Sequence, residues 1–260
     1  MHGERSMWGL TFRNLFFPQF CHCCGRRLLT EENPCFCATC WDLSPRVERP
    51  FCPKCGRPHP PAANFSTRHL FLCGPCAAGT TALPFRRLYA AAIYDRGEAC
   101  AIAGAIKLLK FGGRRGLVAP LAEELRRVIA TEMDPDQYDA VIPTPLHPVR
   151  LRARGFNQSE LLAEAVAGAF PRARIERGLL RVRPTRTQSR LRDADARRAN
   201  VRGAFAVEAG AIRKGETVLL VDDVVTTYGT VSECTRVLLA AGAGAVDVLA
   251  AALAARSAPV

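Results

Sequence analysis

Residues 218–230 read Val-Leu-Leu-Val-Asp-Asp-Val-Val-Thr-Thr-Tyr-Gly-Thr, and this stretch decides the fold. Four consecutive apolar residues indicate a strand that is buried on both faces, which is typical of a parallel sheet covered by helices. Such sheets bind their ligands in a crevice at the carboxyl ends of the strands. Two adjacent carboxylates, Asp222 and Asp223, follow the apolar run, and a hydroxyl-rich turn then leads into a predicted helix. The stretch therefore predicts a ligand site as well as a fold class.

The turn after the aspartates is suited to a phosphate group. The first turn of a helix presents unpaired N–H groups and the positive end of the helix dipole, which together attract anions. Asp222 and Asp223 can accept hydrogen bonds from ribose hydroxyls. The stretch therefore predicts a site for a phosphorylated sugar, with a solvated strand-to-helix turn as the alternative interpretation. The residues expected to hold the phosphate are Thr226, Thr227, Gly229 and Thr230.

The same stretch resembles the fingerprint of type I phosphoribosyltransferases, enzymes that use phosphoribosyl pyrophosphate (PRPP). The resemblance implies that Asp222 and Asp223 are the catalytic residues beside the ribose, and that the threonine turn binds the 5′-phosphate. One position departs from the family pattern, which has glycine directly after the second threonine. Here Tyr228 stands at that position and the next glycine is Gly229. A side chain there is expected either to narrow the phosphate-binding turn or to force a different backbone path.

The cysteines predict a metal-binding module. Eight of the 12 cysteines form four Cys-x-x-Cys pairs within the first third of the chain. Two thiolates three residues apart can bind one metal ion, and two such pairs complete a tetrahedral shell. Two structural zinc ions are therefore expected. Because consecutive knuckles make the simplest ribbon, the preferred pairing puts Cys21, Cys24, Cys37 and Cys40 in one site and Cys52, Cys55, Cys73 and Cys76 in the other.

The other cysteines leave alternatives open. Cys-x-x-Cys is also a redox motif, although that motif normally occurs once, near a βαβ unit. Cys23 and Cys35 are potential competing ligands of the zinc ions. Cys100 and Cys234 lie on predicted helix faces, where small buried apolar residues are the simplest interpretation.

The formal net charge of +12 is concentrated in one stretch, because eleven arginines lie within residues 172–202. Such a run has three interpretations: a nucleic-acid footprint, a pyrophosphate-binding loop, or a solvated arginine-rich surface. Without interleaved aromatic residues, charge alone is weak evidence for nucleic-acid binding. The sequence leaves the three interpretations open.

The chain divides into a cysteine-rich module at 1–82 and a larger domain at 83–260. Residues 1–82 have little helical periodicity, which fits a module held together by metal, and zinc chelation is expected to unfold this module alone. From about residue 85 strands and helices alternate, which predicts an α/β fold with a parallel sheet and helices on both faces. The predicted strands are 88–94, 140–143, 217–221 and 246–253, the predicted helices are 98–111, 117–133, 159–169 and 230–241, and 144–158 is predicted to be a basic loop.

No stretch approaches the roughly 18 apolar residues that a membrane helix needs, so membrane insertion is not expected. The apolar start of the chain is interrupted by Arg13 and Asn14 before a signal-peptide core is complete. A cytoplasmic protein is expected.

The order of motifs along the chain resembles the ComF family. The resemblance covers nearly the whole chain and implies a phosphoribosyltransferase-type domain after an N-terminal zinc module. It also implies a bacterial protein linked to natural competence and to the handling of single-stranded DNA, with a helicase-like competence protein as a partner in related chains. The motifs are the zinc knuckles, Ile106-Lys107-Leu108-Leu109-Lys110-Phe111, Arg154-Gly155-Phe156-Asn157-Gln158, Thr187-Gln188-Ser189, Asn200-Val201-Arg202-Gly203-Ala204-Phe205 and the fingerprint.

Two functional hypotheses follow. In the first, the domain binds PRPP with magnesium and is a phosphoribosyltransferase, with Arg154 and Arg190 at the pyrophosphate and the segment around Gln188, Arg190 and Arg198 as a flap. In the second, a non-catalytic competence protein uses the same crevice to hold single-stranded DNA or a phosphorylated signal. Tyr228 and the basic surface favour the second hypothesis, whereas the aspartates and the threonines favour the first.

Overall fold

The computed structural model describes residues 18–28, 33–60, 71–80, 82–94, 100–184 and 201–254. Strands β1 (Gln19–Phe20) and β2 (Arg27–Leu28) form an antiparallel pair at the start of the cysteine-rich part. Two short helices follow, α1 (Ala38–Asp42) and α2 (Gly74–Ala77). Each short helix begins directly after a predicted zinc ligand, Cys37 or Cys73.

The larger part alternates strands and helices, as the sequence predicts. In chain order its elements are β3 (Leu88–Tyr94), α3 (Ala101–Gly112), α4 (Val118–Glu132), β4 (Ala140–Pro143), α5 (Pro148–Arg154), α6 (Gln158–Val166), β5 (Arg174–Ile175), β6 (Leu179–Arg181), β7 (Phe205–Val207), β8 (Thr217–Val225), α7 (Gly229–Ala240) and β9 (Ala245–Ala254). Strands β3, β9, β8, β4 and β5 form a parallel sheet in that spatial order, while β6 and β7 form a separate antiparallel pair.

The two faces of the sheet are covered by different elements. Alternate side chains of β8 point to opposite sides, so Leu219 and Val221 lie in one buried cluster and Val218 and Leu220 in the other. The first cluster includes residues of α3, α4 and α6, and the second includes residues of α7 and of the β6–β7 pair. Burial on both faces is the environment that the apolar run at 218–221 predicts. The predicted class, an α/β parallel sheet with helices on both faces after a cysteine-rich zinc-binding module, is confirmed.

The cysteine-rich part contributes to both clusters. Phe36 and Cys37 join the cluster that contains α3 and α4, whereas Cys52 and Cys55 join the cluster that contains α7. The residues before and after the predicted boundary at 82 and 83 therefore pack together in the same two hydrophobic clusters.

Two elements differ from the sequence-based expectations. The segment 144–158, predicted to be a basic loop, contains helix α5, which starts at Pro148 and is capped by the His147 side chain accepting from Val149 N. Pro at the first helical position is pre-set for a helix, and this signal outweighs the absence of apolar periodicity. Strand β8 was expected to end before the aspartates but continues to Val225, because its pairing with β9 extends past Asp222.

The helices of the described residues include none that combines the length and the apolar character needed to cross a bilayer.

Candidate functional site

The two adjacent aspartates lie near the carboxyl end of β8, where this strand is still paired with β9. Asp222 and Asp223 are only 7% and 3% exposed. The Ser159 hydroxyl at the start of α6 donates to Asp222 Oδ1 over 3.1 Å, and the backbone N–H of Asp223 donates to the same oxygen over 2.9 Å. Lys110 in the last turn of α3 forms an ion pair with Asp223 Oδ2. The sheet and two helices thus converge on one pair of carboxylates.

Burial and neighbouring charges change the ionisation of Asp222. Burial, together with the neighbouring charge of Asp223, raises the pKa of Asp222 to about 8, and Lys110 opposes the rise. Asp223 holds the lysine and so keeps a counter-charge. Asp222 can therefore gain or lose a proton near neutral pH, and a cationic ligand would favour its charged form.

The hydroxyl-rich turn follows β8 directly, and α7 begins at Gly229. Thr227 Oγ1 is buried and has no hydrogen-bond partner among the described residues. A buried hydroxyl without a partner is costly, so such a group marks a place where a ligand or a water is accommodated. This threonine lies at the N-terminus of a 12-residue helix, where anions bind.

Tyr228 does not lie across this turn. Its backbone has φ 61° and ψ −8°, the left-handed conformation that glycine adopts without strain. Its side chain is 6% exposed and packs toward the cysteine-rich part, where its hydroxyl donates to the carbonyl oxygen of Cys55 over 3.1 Å. Arg57 Nε donates to the same hydroxyl over 3.1 Å. The backbone thus follows the path that a glycine would take, while the ring packs 6.3 Å from the ring of Phe85.

The loop after β4 is fastened beside the aspartates. Thr144 N donates to Val221 O over 2.8 Å, and the Asn157 side chain donates to Thr144 O over 3.1 Å. Asn157 Oδ1 also accepts from Ser159 N, which caps α6. Thr144 Oγ1 is buried without a hydrogen-bond partner in the described part of the chain. The loop therefore adds a second unsatisfied hydroxyl to this edge of the sheet.

The arginines predicted for pyrophosphate have different outcomes. Arg154 ends α5, donates to Gln158 Oε1 and lies over the ring of Phe111 at 5.6 Å. Burial lowers the pKa of Arg154, and the negative charge of Asp223 opposes this effect. Arg190 lies outside the described residues, as do Gln188 and Arg198.

Two arginines of the arginine-rich stretch have structural partners. Arg174 pairs with Glu216 at 2.6 Å, and Arg177 pairs with Glu160 at 2.5 Å. These two contacts agree with the interpretation of the stretch as a surface feature, at least for its first residues.

Sequence reasoning missed three residues of the site: Lys110, Ser159 and Thr144. Lys110 was regarded only as a favourable charge in the last turn of a helix, although it lies within one of the motifs that carry the family resemblance. Ser159 and Thr144 gave no signal of their own, because each becomes part of the site only when β4 and α6 are placed next to β8.

The cysteine-rich part holds two groups of four thiols suited to zinc. One group comprises Cys21, Cys24, Cys37 and Cys40, and the other comprises Cys52, Cys55, Cys73 and Cys76. Within each group the sulfur atoms all lie within 4.8 Å of one another, and four thiolates are the donor set of structural zinc. These are the two groups that the consecutive pairing predicts, and neither includes Cys23 or Cys35.

A parallel α/β sheet of the phosphoribosyltransferase type, preceded by two four-cysteine zinc sites, defines the class of this protein. Residues 12–77 match a family described as a double zinc ribbon domain. The chain is 31% identical over 241 residues to the DNA utilization protein YhgH of Escherichia coli K12, covering 90% of this chain and 96% of that protein. The Salmonella typhimurium YhgH protein is 32% identical over the same shares of both chains.

A further relative is Competence protein F of Haemophilus influenzae, which is 35% identical over 114 residues, covering 42% of this chain and 48% of that protein. The predicted family is confirmed: the chain belongs to the ComF family.

Proposed function

We propose that the domain binds PRPP, or a closely related phosphorylated ribose, at the carboxyl edge of β8. The observation that carries this proposal is the buried pair Asp222 and Asp223, followed at once by the Thr227 hydroxyl without a partner at the N-terminus of α7. The pair offers acceptors for ribose hydroxyls, and the turn offers donors for a phosphate.

Each part of the site has a distinct role in this proposal. The turn formed by Thr226, Thr227, Gly229 and Thr230 holds the 5′-phosphate, and the aspartates orient the ribose. Arg154 and the loop after β4 face the pyrophosphate. Mg²⁺ would be held mainly by pyrophosphate oxygens with carboxylate support, and it would neutralise the charge of the leaving group.

The reaction that this arrangement supports is phosphoribosyl transfer. The bond between ribose C1 and the pyrophosphate oxygen breaks with its electron pair leaving on the pyrophosphate, and a nucleophile then bonds to C1. Asp222 and Asp223 lie where their negative charge would stabilise the positive charge that develops on the ribose. Positioning and electrostatics supply most of the rate acceleration in such a reaction.

The relatives suggest the setting in which this activity is used. Their printed names refer to DNA utilization and competence. We therefore infer a cytoplasmic role in DNA uptake and handling, with a helicase-like competence protein as a partner.

Calorimetric titration with PRPP and Mg²⁺ tests the binding proposal. We expect wild-type protein to bind, and Asp223→Asn to weaken binding at least tenfold, because it removes the carboxylate that pairs with Lys110. Thr227→Val should weaken binding by about three- to tenfold through loss of one hydroxyl.

Thr131→Val is the matched control for Thr227→Val, because the Thr131 hydroxyl on α4 donates to the backbone of its own helix at Arg127 O. Wild-type affinity weaker than millimolar, or equal losses in the two threonine variants, would contradict the proposed site. Release of pyrophosphate in the presence of nucleobases or ammonia would then establish catalysis.

A second candidate function, binding of single-stranded DNA, is favoured by one surface. Phe111 is 79% exposed at the end of α3, and Arg154 lies over its ring. Arg115, three residues after the end of α3, lies 4.7 Å from the ring centre of Phe156. An exposed aromatic ring beside arginines is the arrangement on which unpaired bases stack, each stacked base contributing about 1–3 kcal/mol.

Fluorescence anisotropy with a labelled oligonucleotide separates the two functions. If DNA binds here, Phe111→Ala should weaken binding about fivefold or more, and the affinity should fall steeply with salt. Leu43→Ala is the matched control, because Leu43 is 78% exposed but belongs to the cysteine-rich part. Equal effects of the two variants would exclude stacking on Phe111. Displacement of the oligonucleotide by PRPP would show that the two ligands share a crevice.

A further inference from the structure

We propose that Tyr228 is a positioning residue through which the second zinc ribbon, built on Cys52, Cys55, Cys73 and Cys76, sets the conformation of the phosphate-binding turn. The inference rests on the proposed function for its ligand. The contact between ribbon and turn does not depend on that ligand.

A single residue, Cys55, connects the metal site to the turn. Cys55 contributes its sulfur to the group of four thiols and its carbonyl oxygen to the Tyr228 hydroxyl, 3.1 Å away. Tyr228 is in turn the residue between Thr227 and Gly229, and its carbonyl oxygen accepts the Ser232 N–H over 2.8 Å in the first turn of α7. A displacement of the Cys55 backbone would therefore be transmitted directly to the N-terminus of the helix that faces the phosphate.

The turn needs this support because of its backbone conformation. Tyr228 is the only non-glycine residue with positive φ among the described residues. The left-handed conformation costs a residue with a side chain about 1–2 kcal/mol and persists only where surrounding contacts hold it. Here two hydrogen bonds, from Arg57 and to Cys55, and packing against Phe85 hold the side chain.

The ribbon is itself fixed to the sheet, so it can act as a support. A Cβ atom on Gly56 would lie 2.5 Å from Leu88 Cδ2 and 3.0 Å from Leu88 O, which shows how closely this knuckle approaches β3. Lys54 on the same knuckle donates to Phe85 O. Sheet, knuckle and turn therefore form one packed unit, in which the tyrosine hydroxyl joins the knuckle to the turn by hydrogen bonds.

Thermodynamic linkage gives this arrangement a testable consequence. If the second zinc site favours the binding-competent turn, a ligand that binds the turn must favour the metal-loaded ribbon by the same factor. The first zinc site, built on Cys21, Cys24, Cys37 and Cys40, packs against the other face of the sheet and should not respond.

Hydrogen exchange tests the contact without any ligand. In Tyr228→Phe, which keeps the ring and removes both hydroxyl contacts, we expect the Ser232 amide to exchange about three- to tenfold faster than in wild type. Arg57→Met removes one of the same contacts and should act in the same direction, and the double variant should exceed the larger single effect only slightly.

Tyr138→Phe is the matched control, because Tyr138 is a fully buried tyrosine whose hydroxyl donates to Asp247 over 2.8 Å, away from the turn. Acceleration at Ser232 in Tyr228→Phe but not in Tyr138→Phe supports the inference. Unchanged exchange at Ser232 in Tyr228→Phe and Arg57→Met would overturn it, as would an equal response to Tyr138→Phe.

Cadmium NMR tests the linkage with PRPP. After cadmium replaces zinc, the two four-thiolate sites give separate signals, which are assigned through their couplings to the cysteine β-protons. We expect PRPP with Mg²⁺ to shift the signal of the second site and not that of the first, and the shift to be lost in Tyr228→Phe together with about three- to tenfold of the affinity.

The outcomes distinguish the two proposals. If wild-type protein fails to bind PRPP, the proposed function fails and the hydrogen-exchange result alone decides whether ribbon and turn are coupled. If PRPP binds wild type and Tyr228→Phe equally well and leaves both cadmium signals in place, the binding function stands and the inference is overturned.

Discussion

The two zinc ribbons have the same four-thiolate chemistry but different neighbours. The first ribbon packs on the sheet face that carries α3 and α4: Phe36 contacts Gly104, and the Trp41 indole donates to Glu124 over 2.9 Å. The second ribbon packs on the face that carries α7 and contacts Tyr228, in the turn between β8 and α7. Two ribbons with the same metal ligands thus contact different elements: the first contacts helices, and the second contacts the turn between β8 and α7.

Removal of zinc should have the largest effect on stability. It tests whether the ribbons unfold independently of the larger domain. Because cysteines of both ribbons lie in the two cores of the sheet, we expect chelation to lower the melting temperature of the whole chain in a single transition. Calorimetry with and without a chelator measures this. Two transitions, the upper one unmoved, would support the simpler expectation from sequence that only residues 1–82 unfold.

The attachment of the first ribbon depends on one buried carboxylate. Glu124 accepts from Arg46 at 2.6 Å and from the Trp41 indole, and Arg46 belongs to the segment after the ribbon. Glu124→Ala removes the acceptor of the Trp41 indole and of Arg46 Nε and Nη2, so we expect it to lower the free energy of unfolding by about 3–5 kcal/mol. Urea denaturation of zinc-loaded protein measures the loss.

The neighbouring glutamate provides the control for this prediction. Glu123 is 75% exposed and pairs with Arg126 one turn away on the same helix, so Glu123→Ala should change the free energy of unfolding by less than about 0.5 kcal/mol. Similar losses in the two alanine variants would show that the carboxylate does not anchor the ribbon.

One glycine at the contact of each ribbon with the larger domain sharpens the comparison between them. A Cβ atom on Gly104 would meet the Phe36 ring at 2.9 and 3.1 Å, whereas on Gly56 it would meet the Leu88 side chain and backbone. Gly56 also has φ +74°. We expect Gly56→Ala to cost about 2–4 kcal/mol and Gly104→Ala about 1–2 kcal/mol, because a ring can shift and alanine favours a helix.

Gly210→Ala separates backbone strain from crowding in these variants. Gly210 has φ +80° with nothing within 4 Å of its added Cβ, so this variant should cost about 1 kcal/mol. A loss in Gly56→Ala no larger than in Gly210→Ala would show that the second ribbon does not press on β3 as closely as the contacts indicate.

Asp222, on the central strand β8, should make the stability of the protein depend on pH. Its folded-state pKa of about 8 lies above the value near 3.9 of an unfolded chain. The folded state therefore binds the proton more tightly, so the stability contribution is complete below about pH 4 and is lost as the pH rises toward 8. The charged groups that act on Asp222 include Asp223, Lys110 and Arg181.

Asp222→Asn cannot lose this proton, so the variant should lack the decline. We expect its melting temperature relative to wild type to rise by several degrees between pH 5 and pH 8, measured by thermal denaturation of zinc-loaded protein. Asp136→Asn, at an exposed acidic residue before β4, is the control and should show no such trend. A constant difference between Asp222→Asn and wild type across this range would contradict the raised pKa.

The sequence by itself determined the features that depend on local pattern. The apolar run before Asp222 and Asp223 requires a strand buried on both faces, and the spacing of the cysteine pairs favours two four-thiolate sites. Both signals lie within short segments, because pleating repeats every two residues and a zinc knuckle is closed by residues three apart. The helix of α5 was missed because its signal is a proline and a capping side chain rather than a periodic stripe.

Only the tertiary structure decided which distant residues share the site. Lys110 and Ser159 reach the aspartates across separations of 113 and 63 residues, and no local pattern encodes such meetings. The role of Tyr228 was also open from sequence, since a side chain in place of glycine is compatible with a narrowed or a redirected turn. The Tyr228 side chain points toward the second ribbon, because this ribbon packs close to β3 and offers the Cys55 carbonyl as a hydrogen-bond acceptor.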